Sequence, residues 1–339
     1  MSEGRGTDDA ESASSRSVTA DYRATATSGF LRNRRAQLAP DPSWPVYNAT
    51  TDRRVAGLRR EEIAWAAGVS MDYYTKFEQG KVAHPSRAVV GSVADALRLS
   101  DLDRRYLLAL TAEPSGAPEI TAEALDEAQG DLLTIGSKLF DTVMLHLLTD
   151  ELMLTTVDKA TAAVLFPDRD SSEWPIQPVS LLQYIFDDPI SRSVYVDWTA
   201  KAYEVVGLAH LNLATRQASA EHRALIDQLW RSSKAFRYIW NRYEPHEKRS
   251  GRWRIRVPGE GVVGCHFTTL QVRGCDELSL VVYDRVLRNG WARMDNSETS
   301  EKSFALIEIA KIANHRFDDL VADANPLTSA RFSRQPELS

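Results

Sequence analysis

The stretch GLRREEIAWAAGVSMDYYTKFEQGKVAHPS, from Gly57 to Ser86, reads as two short helices joined by a tight turn. Apolar residues recur at helical spacing at its start, which predicts a first helix over 59–67. Gly68 is placed to end that helix because glycine adopts positive φ without strain. Ser70 is placed to cap a second helix, predicted over 71–79, by accepting a hydrogen bond from an open N–H group.

The two predicted helices share an apolar side and leave a polar side outward. The inward residues are Ile63, Ala64, Ala67, Tyr74 and Phe77. Two short helices around a glycine turn form a helix-turn-helix unit, whose second helix reads the major groove of DNA. The same spacing also occurs in all-α proteins that bind no DNA, so the spacing alone leaves both interpretations open. The outward candidates for base reading are Met71, Asp72, Thr75 and Lys76.

Each outward residue type has a defined chemistry at a base edge. Lys76 can donate to guanine O6 or N7, and Asp72 can accept from a cytosine amino group. Asp72 also lies in the first turn of its helix, where a carboxylate stabilises the helix dipole, and both roles stay open. The candidates for phosphate binding are Arg59, Arg60, Gln79, Lys81 and Arg87.

Arginines are concentrated between residues 32 and 60. Such a cluster is either a solvated face or, beside a helix-turn-helix unit, a phosphate clamp, and the second interpretation is favoured. The seven arginines are Arg32, Arg34, Arg35, Arg53, Arg54, Arg59 and Arg60.

Several motifs carry a family resemblance. AWAAGVSMDYYTKFEQGKVAHPS (64–86) resembles the XRE class of Cro/C1-type helix-turn-helix regulators. LRREEIA, the later LLQYIFDDP and YVDW, and FRYIW resemble, more narrowly, the MmyB-like regulators. The resemblance runs from about Phe30 to about Arg285. It implies a transcription regulator with a Cro-like DNA-binding domain and a C-terminal PAS-like ligand-binding domain.

The chain of 339 residues is long enough for two domains. The predicted fold is multidomain, with an N-terminal all-α five-helix domain and a C-terminal α+β domain that has an antiparallel sheet. The expected divisions are a disordered leader (1–27), a helix-turn-helix domain (28–111), a linker (112–121), a ligand-binding domain (122–323) and a flexible tail (324–339).

Charge is distributed unevenly along the chain. Residues 28–110 hold 13 Lys and Arg against 9 Asp and Glu, a net charge of +4, so the other residues carry −10 of the total of −6. This asymmetry favours an N-terminal domain that faces nucleic acid and a second domain with another role. No apolar run reaches the roughly 20 residues of a membrane span, and no signal-peptide core opens the chain. A cytoplasmic protein with no membrane partner is therefore expected.

The C-terminal half reads as strands, then helices, then strands. A hairpin is predicted over 142–157, and a long helix over 191–213. Two shorter helices are predicted over 220–230 and 233–243, and a C-terminal helix over 299–321. Three further strands are predicted over 253–257, 262–272 and 278–283.

The sequence contains no recognisable catalytic constellation, so no enzymatic activity, metal or cofactor is expected. Cys265 and His266 are neighbours in a predicted strand and would lie on opposite faces, which excludes a joint metal site. His146 and His210 are interpreted as packed core histidines. Asp187 and Asp188 precede a proline and are interpreted as helix caps rather than as an acid/base pair.

Aromatic residues are dense between 184 and 267, and two interpretations remain. They fill a large core, or, as the MmyB-like resemblance implies, they surround an apolar pocket for a fatty-acid-like or other hydrophobic effector. An alternative function is a C-terminal domain that binds a protein partner or mediates dimerisation without a small molecule. DNA binding is expected as a homodimer on a near-palindromic operator. The pocket candidates are Leu181, Ile185, Trp198, Phe236, Trp240 and Phe267.

Overall fold

A computed structural model describes most of the chain between residues 21 and 285. The described ranges are 21–46, 57–82, 84–113, 130, 144–157, 159–168, 178–272 and 275–285. They fall into two compact units. Unit 1 combines the described part of Met1–Ala117 with Ala209–Arg231 and Trp240–Glu247. Unit 2 combines the described parts of Pro118–Leu208 and Lys248–Ser339 with Ser232–Ile239.

The N-terminal part of unit 1 is all-α, as predicted. Serine side chains cap three of its helices: Ser70, Ser86 and Ser100 each accept a hydrogen bond from the N–H group three residues later. Its aromatic core includes Phe30 and Tyr106, whose rings meet edge to face at 5.2 Å. The helices are α1 (Tyr22–Gln37), α2 (Arg60–Ala66), α3 (Met71–Glu78), α4 (Arg87–Ala96) and α5 (Asp101–Thr111).

The first helix corrects the predicted leader. The sequence places residues 1–27 in a disordered segment and the first helix at Phe30, but α1 begins at Tyr22. Tyr22, Ala26 and Phe30 recur every four residues and are all buried, so they form one apolar stripe. The prediction was wrong here because Tyr22 is buried against residues far away in sequence.

Unit 2 contains a six-stranded antiparallel sheet in the described residues, with the strand order β3-β2-β1-β6-β5-β4. This confirms the predicted α+β class and the predicted hairpin, which is formed by β1 and β2. The strands are β1 (Met144–Thr149), β2 (Met153–Val157), β3 (Val179–Ser180), β4 (Ser250–Val257), β5 (Gly261–Val272) and β6 (Cys275–Arg285).

Strand register places a set of polar and aromatic side chains on one face of this sheet. His146 of β1 and Thr269 of β5 both pair with Val281 of β6, so the three lie in one row. In neighbouring rows Phe267 pairs with Tyr283, and Trp253 pairs with Cys265. Directly opposite pairs point to the same face, and alternate residues of a strand share that face.

The remaining described helices follow the hairpin and precede β4. They are α6 (Lys159–Leu165), α7 (Leu181–Phe186), α8 (Ile190–Val194), α9 (Trp198–Thr215), α10 (Ala220–Ser232) and α11 (Lys234–Trp240). Helix α9 contributes its residues up to Leu208 to unit 2 and those from Ala209 to unit 1. No helix in the described part of the chain combines the length and the apolar character that crossing a membrane requires.

The long helix predicted over 191–213 is interrupted in the structure. Tyr195 has extended backbone geometry and forms an isolated bridge with Ile255 of β4. The next N–H group, that of Val196, donates to the Arg254 carbonyl at 3.0 Å. These bonds to the sheet replace helical ones, which the 3.6-residue pattern of the sequence could not reveal.

Parts of other predictions lie outside the described residues. They include the helix over 299–321, the tail over 324–339 and most of the linker over 112–121. The described domain grouping also differs from the predicted division, because unit 1 includes residues from the predicted ligand-binding domain.

Candidate functional site

The turn between α2 and α3 has the predicted geometry. Gly68 has φ of +65°, the left-handed region in which a side chain would be strained. The Ser70 hydroxyl accepts from the Tyr73 N–H at 3.1 Å, and so fixes the start of α3. At the start of α2, the Arg59 N–H donates to the Glu62 carboxylate at 2.6 Å. Both helix starts are thus held by local side-chain bonds.

The inner side of α3 is anchored by apolar packing and by one buried carboxylate. Tyr74 and Phe77 are fully buried, as predicted, and Glu78 is 1% exposed. Glu78 accepts from the Arg35 guanidinium at 2.8 Å and from the Arg60 Nε at 2.7 Å. Because these arginines come from α1 and α2, the ion pairs hold three helices together.

This network changes the interpretation of the arginine cluster. Arg34 pairs with Asp103 at 2.7 Å, and Arg35 also donates to the Leu58 carbonyl at 2.6 Å. Arg60, one of the phosphate candidates, is held by Glu78. These three arginines form ion pairs within the domain and so stabilise it. They therefore do not form a simple solvated face.

The outward side of α3 carries the four predicted base-reading residues. Met71 is 55% exposed, and the side chains of Asp72 and Lys76 are 76% and 59% exposed. Thr75 is half-buried. The Lys76 ammonium donates to the Asp72 carboxylate at 2.8 Å, one helical turn apart. An exposed pair of this kind adds only a few tenths of a kcal/mol, so both groups can exchange partners readily.

Three of the five phosphate candidates are exposed: Gln79, Lys81 and Arg87. Gln79 ends α3, and its N–H donates to the Thr75 carbonyl at 3.1 Å. Arg59 is half-buried and donates to Glu61 at 3.3 Å. The exposed members thus flank the outward side of α3 in sequence, while Arg59 and Arg60 have acceptors within the domain.

The six pocket candidates are all buried, but the structure places them in separate environments. Trp198 donates through Nε1 to the Ile185 carbonyl at 3.2 Å, and Phe186 packs edge to face on Trp198 and Phe236. Leu181 begins α7, with its N–H bonded to the hairpin. Trp240 belongs to unit 1, and Phe267 lies on the sheet of unit 2.

Comparison with protein families gives one match in the N-terminal part of the chain and one in the C-terminal part. A helix-turn-helix domain family matches residues 28–107. The family described as MmyB-like transcription regulator ligand binding domain matches residues 148–285. This chain combines a helix-turn-helix DNA-binding domain with an MmyB-like ligand-binding domain. The comparison with curated proteins gave no match.

The match confirms the resemblance read from the sequence and makes the chain a transcription regulator. Such families are typically non-enzymatic. Among the described residues, no three His, Cys, Asp or Glu side chains lie close enough to hold a metal ion. Cys265 is buried, and His266 on the opposite face is half-buried.

The first helix of the helix-turn-helix region is hydrogen-bonded to residues of the MmyB-like match within unit 1. The Tyr22 hydroxyl lies 2.7 Å from His210 Nδ1, and His210 Nε2 lies 2.9 Å from the Trp240 carbonyl. Because a carbonyl only accepts, Nε2 carries the proton and Nδ1 accepts from Tyr22. Burial lowers the pKa of His210 to about 3, although its bond to the Trp240 carbonyl opposes the shift, so the ring is neutral.

Further bonds within unit 1 reinforce this connection. Arg23 donates to carbonyls of both parts, to Ala109 at 2.7 Å and to Ala214 at 2.7 Å. Arg105 binds the Glu247 carboxylate through two nitrogens, at 3.1 and 2.8 Å. The helix-turn-helix domain of this regulator is therefore packed against residues 209–231 and 240–247 as one compact body.

A buried polar cluster on the sheet face of unit 2 was missed by the sequence reading. Lys201 and Glu204 of α9 are 0% and 1% exposed, and their charged groups meet at 3.0 Å. Lys248 and His146 are buried beside them. The available signal was the pair of charges in WTAKAYEVVGLAH, an otherwise apolar helix, three residues apart and hence on one side.

Proposed function

We propose that this transcription regulator binds DNA sequence-specifically through the outward side of α3, and that its MmyB-like domain binds a hydrophobic, fatty-acid-like small molecule. The observation that carries the first part is the division of α3 into two sides. Tyr74, Phe77 and Glu78 fix the helix to the domain, while Met71, Asp72 and Lys76 are left exposed. A rigid helix with free polar side chains is what major-groove reading requires.

Base reading and phosphate binding are assigned to different residues. Lys76 donates to guanine O6 or N7, Asp72 accepts from a cytosine amino group, and Thr75 and Met71 contact base edges. Lys81, Arg87 and Gln79 contact phosphates and set the register on the duplex. Arg60 links α2 to α3 through Glu78, and Arg59 pairs with Glu61 at the start of α2. Both contribute to the phosphate-facing charge from there.

The regulator acts as a homodimer on a near-palindromic operator, with half-sites about one helical turn (about 34 Å) apart. An effector in the ligand-binding domain then changes DNA affinity only to the extent that it favours one state of the protein over another. Sedimentation of the protein on duplexes with one and two half-sites tests this assembly, because a monomeric complex on both duplexes contradicts it.

Lys76→Ala tests base reading. Operators are first obtained by selecting bound oligonucleotides from a random pool, and binding is then measured by fluorescence anisotropy. The substitution should cost about 1–3 kcal/mol of binding free energy on the selected operator and relax sequence preference at one base position. The Asp72–Lys76 pair is exposed, so the variant should fold normally.

Lys81→Ala is the matched control for that experiment. It should weaken binding about equally on all sequences. It should also reduce by about one unit the slope of the logarithm of the binding constant against the logarithm of the salt concentration. If Lys76→Ala behaves in the same uniform way, Lys76 does not read bases.

Native mass spectrometry of the purified protein tests the ligand-binding part. A retained small apolar molecule supports a sensor, and a retained second polypeptide supports the alternative, a protein-interaction domain without a small-molecule ligand.

A further inference from the structure

Two lysine side chains are buried on the sheet face of unit 2, with one carboxylate between them. Lys201 is 0% exposed and donates to Glu204 at 3.0 Å. Lys248 is 9% exposed, and its Nζ has no oxygen acceptor in hydrogen-bond range among the described residues. Buried amines are rare unless they are paired, because removing a charge from water is costly. The cluster therefore holds one amine more than its carboxylate can satisfy.

Aromatic rings surround both amines. The Lys201 Nζ lies 5.2 Å from the centre of the Trp253 ring and 5.4 Å from that of Tyr195. The Lys248 Nζ lies 5.4 Å from the Phe267 ring centre and 6.0 Å from that of Tyr283. These contacts are favourable but weaker than an ion pair, so the rings make the site apolar without neutralising its charge.

Other polar atoms on this face are buried and lack partners among the described residues. They include both ring nitrogens of His146, the indole nitrogen of Trp253 and the hydroxyl of Thr269. His146 and Thr269 occupy one row of the sheet, and Trp253 points to the same face. Most buried polar groups in proteins have a hydrogen-bond partner. Several without one on a single face therefore indicate a site whose partner is a bound molecule.

The electrostatics of the cluster show that no group among the described residues fully compensates a charge on the second amine. Burial, followed by the neighbouring Lys201, lowers the pKa of Lys248 to about 7 against the attraction of Glu204. Burial opposes charge on Lys201 too, but Glu204 beside it keeps its pKa above the usual value. Burial and the two lysines hold the pKa of His146 well below its usual range. An anion placed here would be attracted by both amines.

The two tyrosines of this face are protonated near neutral pH. Burial raises the pKa of Tyr195 and of Tyr283. Cys265 is a buried thiol on the same face. Among the described residues, Glu204 is the carboxylate whose charge raises the pKa of both lysines.

We propose that Lys248, Lys201 and His146 form the anion-binding end of the ligand site, and that the effector is an organic monoanion whose apolar part contacts Trp253, Phe267 and Tyr283. One surplus amine matches one negative charge. His146, neutral, supplies one further donor, and the rings supply apolar surface. This inference rests on the proposed ligand-binding function and adds the charge of the ligand and the residues that recognise it.

Calorimetric titration of the full chain with octanoate and with 1-octanol, at pH 8.5, tests the inference. The two probes share an eight-carbon chain and differ in charge. Octanoate should bind at least about tenfold more tightly, because an ion pair with a buried amine is lost in the alcohol. Repeating the titration in two buffers of different ionisation enthalpy should show uptake of about one proton with octanoate, since the anion favours the charged form of Lys248.

Lys248→Met should abolish both the preference for octanoate and the proton uptake. Lys248→Gln, which keeps a polar group of similar length without the charge, should give the same result and guards against a folding defect. Lys234→Met, which removes an exposed lysine of α11, should leave both unchanged.

Equal affinity for the two probes, or a preference for octanoate that survives in both Lys248 variants, overturns the anion site while the apolar sensor stands. If neither probe binds, the anion site and the ligand part of the proposed function both fail.

Discussion

Two buried histidines of this regulator lie in opposite chemical situations. His210 of unit 1 is 0% exposed, and both of its ring nitrogens are hydrogen-bonded, to the Tyr22 hydroxyl and to the Trp240 carbonyl. His146 of unit 2 is 2% exposed, and neither ring nitrogen has a partner among the described residues. Both were interpreted from sequence as packed core histidines. The structure confirms burial for both and separates their roles.

The two histidines differ in the free-energy cost of burying their ring nitrogens. A buried polar group that keeps its hydrogen bonds contributes modestly to stability, whereas one without partners bears its full desolvation cost. His210 therefore belongs to a structural connection, in which Tyr22 of α1 is bonded to residues of the MmyB-like match. His146, without such bonds, is instead expected to lower the stability of the fold, as the ligand-binding role proposed above requires.

His210→Leu should have the largest effect on stability, a loss of about 3 kcal/mol in the free energy of unfolding of unit 1. The substitution leaves the Tyr22 hydroxyl and the Trp240 carbonyl buried with one partner fewer each. Chemical denaturation followed by tryptophan fluorescence measures it, because Trp240 packs on the His210 ring at 4.3 Å.

Tyr22→Phe is the companion variant. It removes one hydroxyl while keeping the ring, and it should cost about 1 kcal/mol. A loss below about 0.5 kcal/mol for His210→Leu would mean that the connection does not stabilise the unit.

The part of the fold that could be predicted depends on contacts close in sequence. Ser70 caps a helix three residues away, Gly68 needs only its own backbone, and Tyr74 and Phe77 show helical spacing within one turn. The helix-turn-helix unit was therefore readable. The hairpin of β1 and β2 was readable for the same reason, since its strands are separated by a short turn.

Features that depend on distant partners could not be read. Tyr22 is buried by Tyr106 and His210, at separations of 84 and 188 residues, so the start of α1 looked disordered. Tyr195 leaves the helical pattern because it bridges to Ile255.

The candidate pocket shows the same limit. All six residues are buried, but aromatic density does not indicate which rings meet. Trp198 is hydrogen-bonded to a backbone carbonyl within a filled core, and Trp240 belongs to unit 1. Only Phe267 lies beside the buried amines, where its ring faces Lys248. The sequence signal for the site proposed above was polar, namely Lys201 and Glu204 within an apolar helix.

Lys248→Met should increase the stability of the ligand-free protein by about 1–2 kcal/mol at pH 7. It removes a buried amine without an oxygen partner and leaves the Lys201–Glu204 pair intact. The gain should depend on pH. The folded-state pKa of Lys248 is about 7, against an ordinary value of 10.5, mainly because of burial. Between these values the unfolded chain binds more protons, so wild-type stability rises with pH, by up to about 1.4 kcal/mol per unit from this group.

The advantage of Lys248→Met over the wild type should therefore be largest at and below pH 7, should fall as pH rises above 7, and should reverse before pH 10. Denaturant unfolding at several pH values measures the difference. Subtracting the unfolding free energies of the two proteins removes the contribution of groups that titrate in both. Lys234→Met, on an exposed position, should show no such trend. A constant difference across this range would show that the Lys248 amine is not buried in a charged cluster.

His146→Leu should have the smallest effect, between no change and a gain of about 1 kcal/mol in unfolding free energy. Leucine fills a similar volume and removes two buried nitrogens that have no partner among the described residues. The sign is what matters, because the equivalent change at His210 should lose stability. The folded-state pKa of His146 lies well below 6.5, so the wild type should also lose stability as pH falls below 6.5, and the variant should lose less. If His146→Leu instead destabilises the protein as much as His210→Leu does, the His146 ring has a structural partner, and the contrast between the two histidines disappears together with the role of His146 in recognising an anion.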